Sequence, residues 1–237
     1  MMSKKIQVWT SIEQMRKAAE AGDPVAQRDL GVCYQTGNGV ALDYDEAVAW
    51  FKRAAEQGDA QAQCYLGLCY QLGQGVPKDM RLAAEWFRRA AEQGDPAAQF
   101  NLGVLYETGE GVPQDLAEAY RWYRAAADKG EPQAQFNVGV FYENGIVVEQ
   151  DYIEAVKWYH RAAEQDCAPA QCNLGVCYEL GRGVPQNMRE ALKWFIRAAR
   201  QGDKTAQHNL GAYYASLEAA EAAMESDSTQ QESADNQ

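Results

Sequence analysis

Apolar residues return along this chain with a helical period. Ala26, Leu30 and Tyr34 stand at i, i+4 and i+8, while Ala47, Trp50, Phe51, Ala54 and Ala55 stand at i, i+3, i+4, i+7 and i+8. Either spacing places its residues on one face of an α-helix. The two stripes then recur at a fixed interval. Gln27, Gln63, Gln99, Gln135, Gln171 and Gln207 are each 36 residues apart, and Gly31, Gly67, Gly103, Gly139, Gly175 and Gly211 keep the same step. So do Tyr34, Tyr70, Tyr106, Tyr142, Tyr178 and Tyr214. Trp50, Trp86, Trp122, Trp158 and Trp194 complete the frame, which leaves only Trp9 outside it. Such a period marks a repeat architecture, in which each unit buries its stripes against its neighbours.

Local signals divide each unit into two helices. The first opens at Asp23-Pro24, Asp95-Pro96 or Glu131-Pro132, an acidic cap followed by proline at the first helical position. The second starts near Asp43 and stops at Gly58, as its counterparts stop at Gly94, Gly130 and Gly202, where glycine takes the left-handed conformation. Gly37-Asn38-Gly39-Val40 makes a tight reversal between them, with the valine in the gap between helix ends. At Gly31 and its equivalents the missing side chain lets another helix approach closely. The predicted fold is all-α, an α/α solenoid of five helix–turn–helix repeats with helical caps. Its expected parts are an N-terminal capping helix within 1–22, repeats at 23–58, 59–94, 95–130, 131–166 and 167–202, a C-terminal capping helix at 203–224, and a disordered acidic tail at 225–237. Thr10-Ser11-Ile12-Glu13 reads as a capping box opening a helix that runs to Ala21. The fourth repeat departs twice: it has Ile146-Val147 where the others have x-Gly, and Asp166 where the others end in glycine. Altered loops are expected there.

Charge narrows the partners. Lys+Arg number 22 against Asp+Glu 34, a net charge of -12, and residues 205–237 hold six acids without a Lys or Arg. That balance argues against nucleic acid and against an anionic membrane. No apolar run approaches the length of a membrane span. Lys4 and Lys5 have no apolar stretch behind them, so no secretory signal is expected and a cytoplasmic location is.

Catalytic signals are sparse. Only two histidines exist, His160 and His208, and no serine stands between Ile12 and Ala215. Cys172 and His208 hold one position in adjacent units, and read as neighbouring surface or groove residues. No cysteine or histidine spacing suggests a metal site, and no cofactor is expected. Asp43, Asp79, Asp115 and Asp151 recur at the start of the second helix, where a carboxylate caps free N–H groups, and Asn187 replaces them in the fifth repeat. That exchange suits capping.

The string Ala-x-Ala-Gln-x-x-Leu-Gly-x-x-Tyr-x-x-Gly-x-Gly-Val-x-x-Asp-x-x-x-Ala-x-x-Trp-Phe-x-x-Ala-Ala-x-x-Gly resembles the Sel1-like repeat, a relative of the tetratricopeptide repeat, over residues 24–211. The resemblance implies a non-enzymatic scaffold or adaptor that binds a peptide or helical segment of another protein on the concave face lined by first helices. It carries an alternative, since a secreted subgroup with a cysteine pair bridging the two helices of each unit binds or cleaves β-lactams. Here no second-type helix has a cysteine, so reduced thiols are expected and no small-molecule substrate.

Related repeats grip an extended peptide with asparagine two residues before the frame glycine. The row here is Asp29, Tyr65, Asn101, Asn137, Asn173 and Asn209. Two readings stand: these amides hold a partner's main chain, or they bond within the scaffold. One residue earlier come Phe100 and Phe136, and one residue after the frame tyrosine come Glu107, Glu143 and Glu179. Together they make either an acidic groove with an apolar floor, suited to a basic or amphipathic peptide, or a solvated acidic face with both rings in the core.

Overall fold

Most helices start where a cap side chain accepts from the first free N–H groups, while Cys167 at the start of the helix Ala168–Leu180 makes no such bond. The structure, a computed structural model, describes residues 9–235, with side chains as far as 219. Regular structure among the described residues is all helical. A lone α1 (Ile12–Glu20) precedes five pairs: α2 (Pro24–Thr36) with α3 (Tyr44–Glu56), α4 (Ala60–Leu72) with α5 (Met80–Glu92), α6 (Pro96–Thr108) with α7 (Leu116–Ala127), α8 (Pro132–Asn144) with α9 (Tyr152–Glu164), and α10 (Ala168–Leu180) with α11 (Met188–Arg200). A single α12 (Lys204–Asp235) follows. Two compact units are distinguishable by their contacts, one ending at Ala134 and one starting at Gln135.

The expected aspartate and asparagine caps form at α2, α3, α5, α6, α7, α9 and α11. Asp23 Oδ1 accepts from the N–H of Val25 and Ala26 at the start of α2. Asp43, Asp79, Asp115 and Asp151 cap α3, α5, α7 and α9 in the same way, and Asn187 caps α11. Ser11 caps α1, where the capping box closes through Gln14 rather than Glu13, its Oε1 accepting from Thr10 N at 3.0 Å. Gly58, Gly94, Gly130 and Gly202 all have positive φ after the second helices. Within the first unit, Trp50 joins Met15, Ala19, Ala26, Leu30 and Cys33 in one core cluster, and the loop valine Val40 packs against it.

Three expectations change. Val147 has φ 66° and Asp166 φ 59°, so the fourth repeat keeps the left-handed backbone that glycine adopts elsewhere instead of altering its loops. At a β-branched residue this is strained; at Asp166 it is less so, because aspartate tolerates the region. Asp166 is also engaged, accepting from Arg197 at 2.8 Å and from Gln171 at 3.2 Å. The third change is at the C-terminal end, where α12 runs to Asp235 rather than stopping near residue 224. The segment 225–235 is made of Glu, Asp, Gln, Ser, Thr and Ala without Gly or Pro, so it contains neither of the two strong helix breakers. Residues 1–8 of the expected N-terminal cap and 236–237 of the tail lie outside the described residues.

Candidate functional site

Frame residues are committed to holding the helices together. A Cβ on Gly31 would stand 2.6 Å from the Phe51 ring, and one on Gly67, Gly103, Gly139 or Gly175 would stand 2.6–2.7 Å from Phe87, Tyr123, Tyr159 or Phe195. Each ring of a second-type helix therefore lies directly against the bare backbone of its own first-type helix. The frame glutamine is a latch. Gln27 Nε2 donates to Ala19 O of the preceding helix at 3.0 Å, and its Oε1 accepts from Gln57 at 2.7 Å. Gln63 repeats this with Ala55 and Gln93, and Gln171 with Ala163 and Gln201.

One latch is incomplete. In the third repeat Lys129 replaces the outer glutamine and donates to Gly94 O, leaving Gln99 Oε1 buried without a donor. Lys129→Gln is expected to raise the unfolding free energy by about 1 kcal/mol by supplying the missing bond. The midpoint of urea unfolding checks this, and an unchanged or lower midpoint would count against the latch.

Arginine completes the outer side. Arg53, Arg89, Arg161 and Arg197 lie 4.4–4.8 Å over the rings of Trp50, Trp86, Trp158 and Trp194. Ala125 takes the arginine's place in the third repeat, and Arg121 covers Trp122 at 4.3 Å instead.

The candidate rows behave less uniformly than their alignment suggests. Phe100 and Phe136 are half-buried and pack on Tyr123 and Tyr159 with ring centroids 5.8 Å apart, so part of each ring is covered by the scaffold and part is open. Where that row has Arg28, Cys64 or Cys172, the side chain meets the cap aspartate of the next first-type helix: Arg28 reaches Asp59, Cys64 Asp95 and Cys172 Asp203. Where it has Phe100 or Phe136, the next cap residue is Glu131 or Cys167. Asn101 donates to Ala97 O of its own helix at 2.9 Å, and Asn173 bonds the Tyr159 phenol. Asn137 and Asn209 are half-buried.

The glutamates divide in the same way. Tyr123 donates to Glu107 and Tyr159 to Glu143, each at 2.5 Å, so both carboxylates are held by phenols of second-type helices. Burial, then the carboxylate, pushes the Tyr159 phenol up. Glu179 differs, because the residue across from it is Phe195, which has no hydroxyl to donate.

All six cysteines are buried thiols rather than disulfides. Cys172 is 3% exposed, and desolvation first, then Asp203, pushes its thiol up to about 12, while His208 is exposed. Nucleophilic cysteines need the reverse shift. Burial likewise raises Cys69 to about 11 and, with Glu143 adding to it, Cys177 to about 12, as suits small core residues. No group of three or more metal-ligating side chains converges among the described residues.

The sequence profile of the Sel1 repeat matches residues 24–59, 60–95, 96–131, 132–167 and 168–203. Among solved structures, a Sel1 repeat protein from Oxalobacter formigenes is 37% identical with a TM-score of 0.76, over 82% of this chain and 79% of that one. The protective antigen c5321 of uropathogenic Escherichia coli strains, which displays an SLR fold, is 37% identical with a TM-score of 0.78 over 85% of this chain. This chain spans only 43% of that antigen's length. The immunity protein Pa5087 from Pseudomonas aeruginosa, 21% identical over 82% of this chain and 75% of its own, shares the fold with a TM-score of 0.53. Among curated proteins none matches.

Proposed function

This chain belongs to the Sel1 repeat family, and we propose that it is a non-enzymatic adaptor holding a peptide or helical segment of another protein on its first-helix face. Sel1 repeat proteins commonly serve as protein-interaction scaffolds and are generally non-enzymatic. The observation that carries the reading is Glu179. Repeats with Phe51 and Phe87 carry neutral Gln35 and Gln71 at the facing position, and repeats with Tyr123 and Tyr159 carry Glu107 and Glu143. The fifth repeat has the acid without the phenol, a charge that packing does not use. Such a charge suits a basic or amphipathic partner segment. Six buried thiols support a reducing, cytoplasmic setting.

Affinity capture from the native host tests this with the wild type beside a double variant, Glu179→Gln with Asn209→Ala. The expected result is a partner whose recovery falls several-fold with the variant while the melting temperature holds. Equal recovery would refute the assignment. A melting temperature several degrees lower would return both residues to the scaffold.

A further inference from the structure

The sixth first-type helix lacks the partner that its five predecessors have. Each earlier frame glycine lies under a ring, but a Cβ on Gly211 would meet nothing within 4 Å. Beside it, Tyr214 is 51% exposed, whereas the frame tyrosines Tyr34, Tyr70, Tyr106, Tyr142 and Tyr178 are all half-buried. Helix α12 continues to Asp235 with no Gly-x-Gly reversal after Tyr214, so none of the described residues supplies a second-type helix. Ala206 and Leu210, which share a stripe of α12 with Leu217, are already packed against Phe195 and Ala198 of α11, and this leaves the flank of Gly211 and Tyr214 bare.

Charge and shape specify what fits. Residues 205–237 hold six acids and no Lys or Arg, and Glu218 lies exposed next to the bare face. The element that covers this face elsewhere in the chain is an amphipathic helix with an aromatic side chain, joined in its most basic example, α11, by a set of outer cations. In α11 these are Phe195 over Gly175, with Arg189, Lys193, Arg197 and Arg200 against a single acid, Glu190. We propose that the face of α12 formed by Gly211, Tyr214 and Glu218 docks a basic amphipathic helix of a partner protein, whose aromatic ring covers Gly211 and completes the sixth repeat in trans. This is the helix-in-groove mode of recognition, with acidic flanks favouring basic ligands.

A second copy of the chain is the poorer fit. Its lone second-type helix, α1, has Ser11 and Gln14 at the positions of Ala47 and Trp50, both exposed, as a solvated cap requires. Pairing two α12 helices would set acidic segments side by side.

The probe is a fluorescent peptide of residues 187–202, NMREALKWFIRAARQG, titrated into the full chain and followed by anisotropy. Saturable binding that weakens several-fold with rising salt is expected, together with loss of binding when the peptide's Trp194 and Phe195 are both changed to alanine. Gly211→Leu builds a side chain outward from a point where a Cβ meets nothing within 4 Å, so it should weaken binding tenfold or more at a little-changed melting temperature. Glu179→Gln should bind the peptide as the wild type does, which separates this site from the first-helix face. The proposal is overturned by absence of saturable binding at about 1 mM peptide, or by equal affinity for Gly211→Leu. It is also overturned if sedimentation shows a dimer that Gly211→Leu dissociates, which would give the face to a second copy.

Discussion

Trp50→Ala is expected to lower the unfolding free energy by about 3–5 kcal/mol, the usual cost of truncating a buried large aromatic residue. Trp50 is 6% exposed and sits among Met15, Ala19, Ala26, Leu30 and Cys33, so its removal opens a void where α1, α2 and α3 meet. Its indole N–H has no acceptor, so the loss is one of packing and of the Arg53 guanidinium 4.4 Å over the ring. Trp50→Phe should accordingly cost much less. Amide hydrogen exchange should show α1 losing protection first, because α1 packs on the chain through the same cluster. Chemical denaturation of both variants checks the magnitude, and a small effect for Trp50→Ala would mean that the junction can collapse around the void.

Gly67→Ala is expected to destabilise by about 1–3 kcal/mol, although alanine is ordinarily better than glycine inside a helix by about 1 kcal/mol. The new Cβ would stand 2.7 Å from two atoms of the Phe87 ring and 3.1 Å from a third. A fully buried planar ring cannot swing away as a flexible exposed side chain does. In a Phe87→Leu background the cost of Gly67→Ala should shrink, giving a coupling of at least about 0.5 kcal/mol between the two sites. Gly211→Ala is the contrast. With open space above it, the same substitution should stabilise by up to about 1 kcal/mol. Equal effects at Gly67 and Gly211 would show that ring contact is not what the frame glycine serves.

Most of the scaffold was legible because its residues answer to local rules written five times over. Asp43 and its counterparts cap, Gly58 and its counterparts end helices, and the Trp-Phe stripe marks the buried side. The latch was visible as a repeated glutamine but not as a bond, since its partners are a backbone carbonyl of the preceding helix and a glutamine 30 residues further on. A signal was nonetheless present: Gln57, Gln93, Gln165 and Gln201 keep the same period, and Lys129 breaks it.

The candidate rows were harder to read. Aligning Glu107, Glu143 and Glu179 made them look equivalent, whereas the phenols of Tyr123 and Tyr159 separate the first two from the third. Tyrosine and phenylalanine bury the same ring, and only the pairing of each ring with its facing residue shows the difference. The same holds for Arg28, Cys64 and Cys172, whose common role depends on an aspartate in the next repeat. Reading a repeat down its columns shows what is constant; the couplings lie between columns. The tail was misjudged for another reason. A polar composition without aromatics excludes a packed core but does not by itself end a helix.

Hydrogen exchange on the chain with and without its captured partner tests the adaptor role most directly. If the first-helix face holds the partner, protection should rise in the first-type helices of the second unit, above all in α10 around Asn173 and Glu179. The second-type helices α9 and α11 should then be little changed. A rise confined to α9 and α11, or none in α10, would contradict the account.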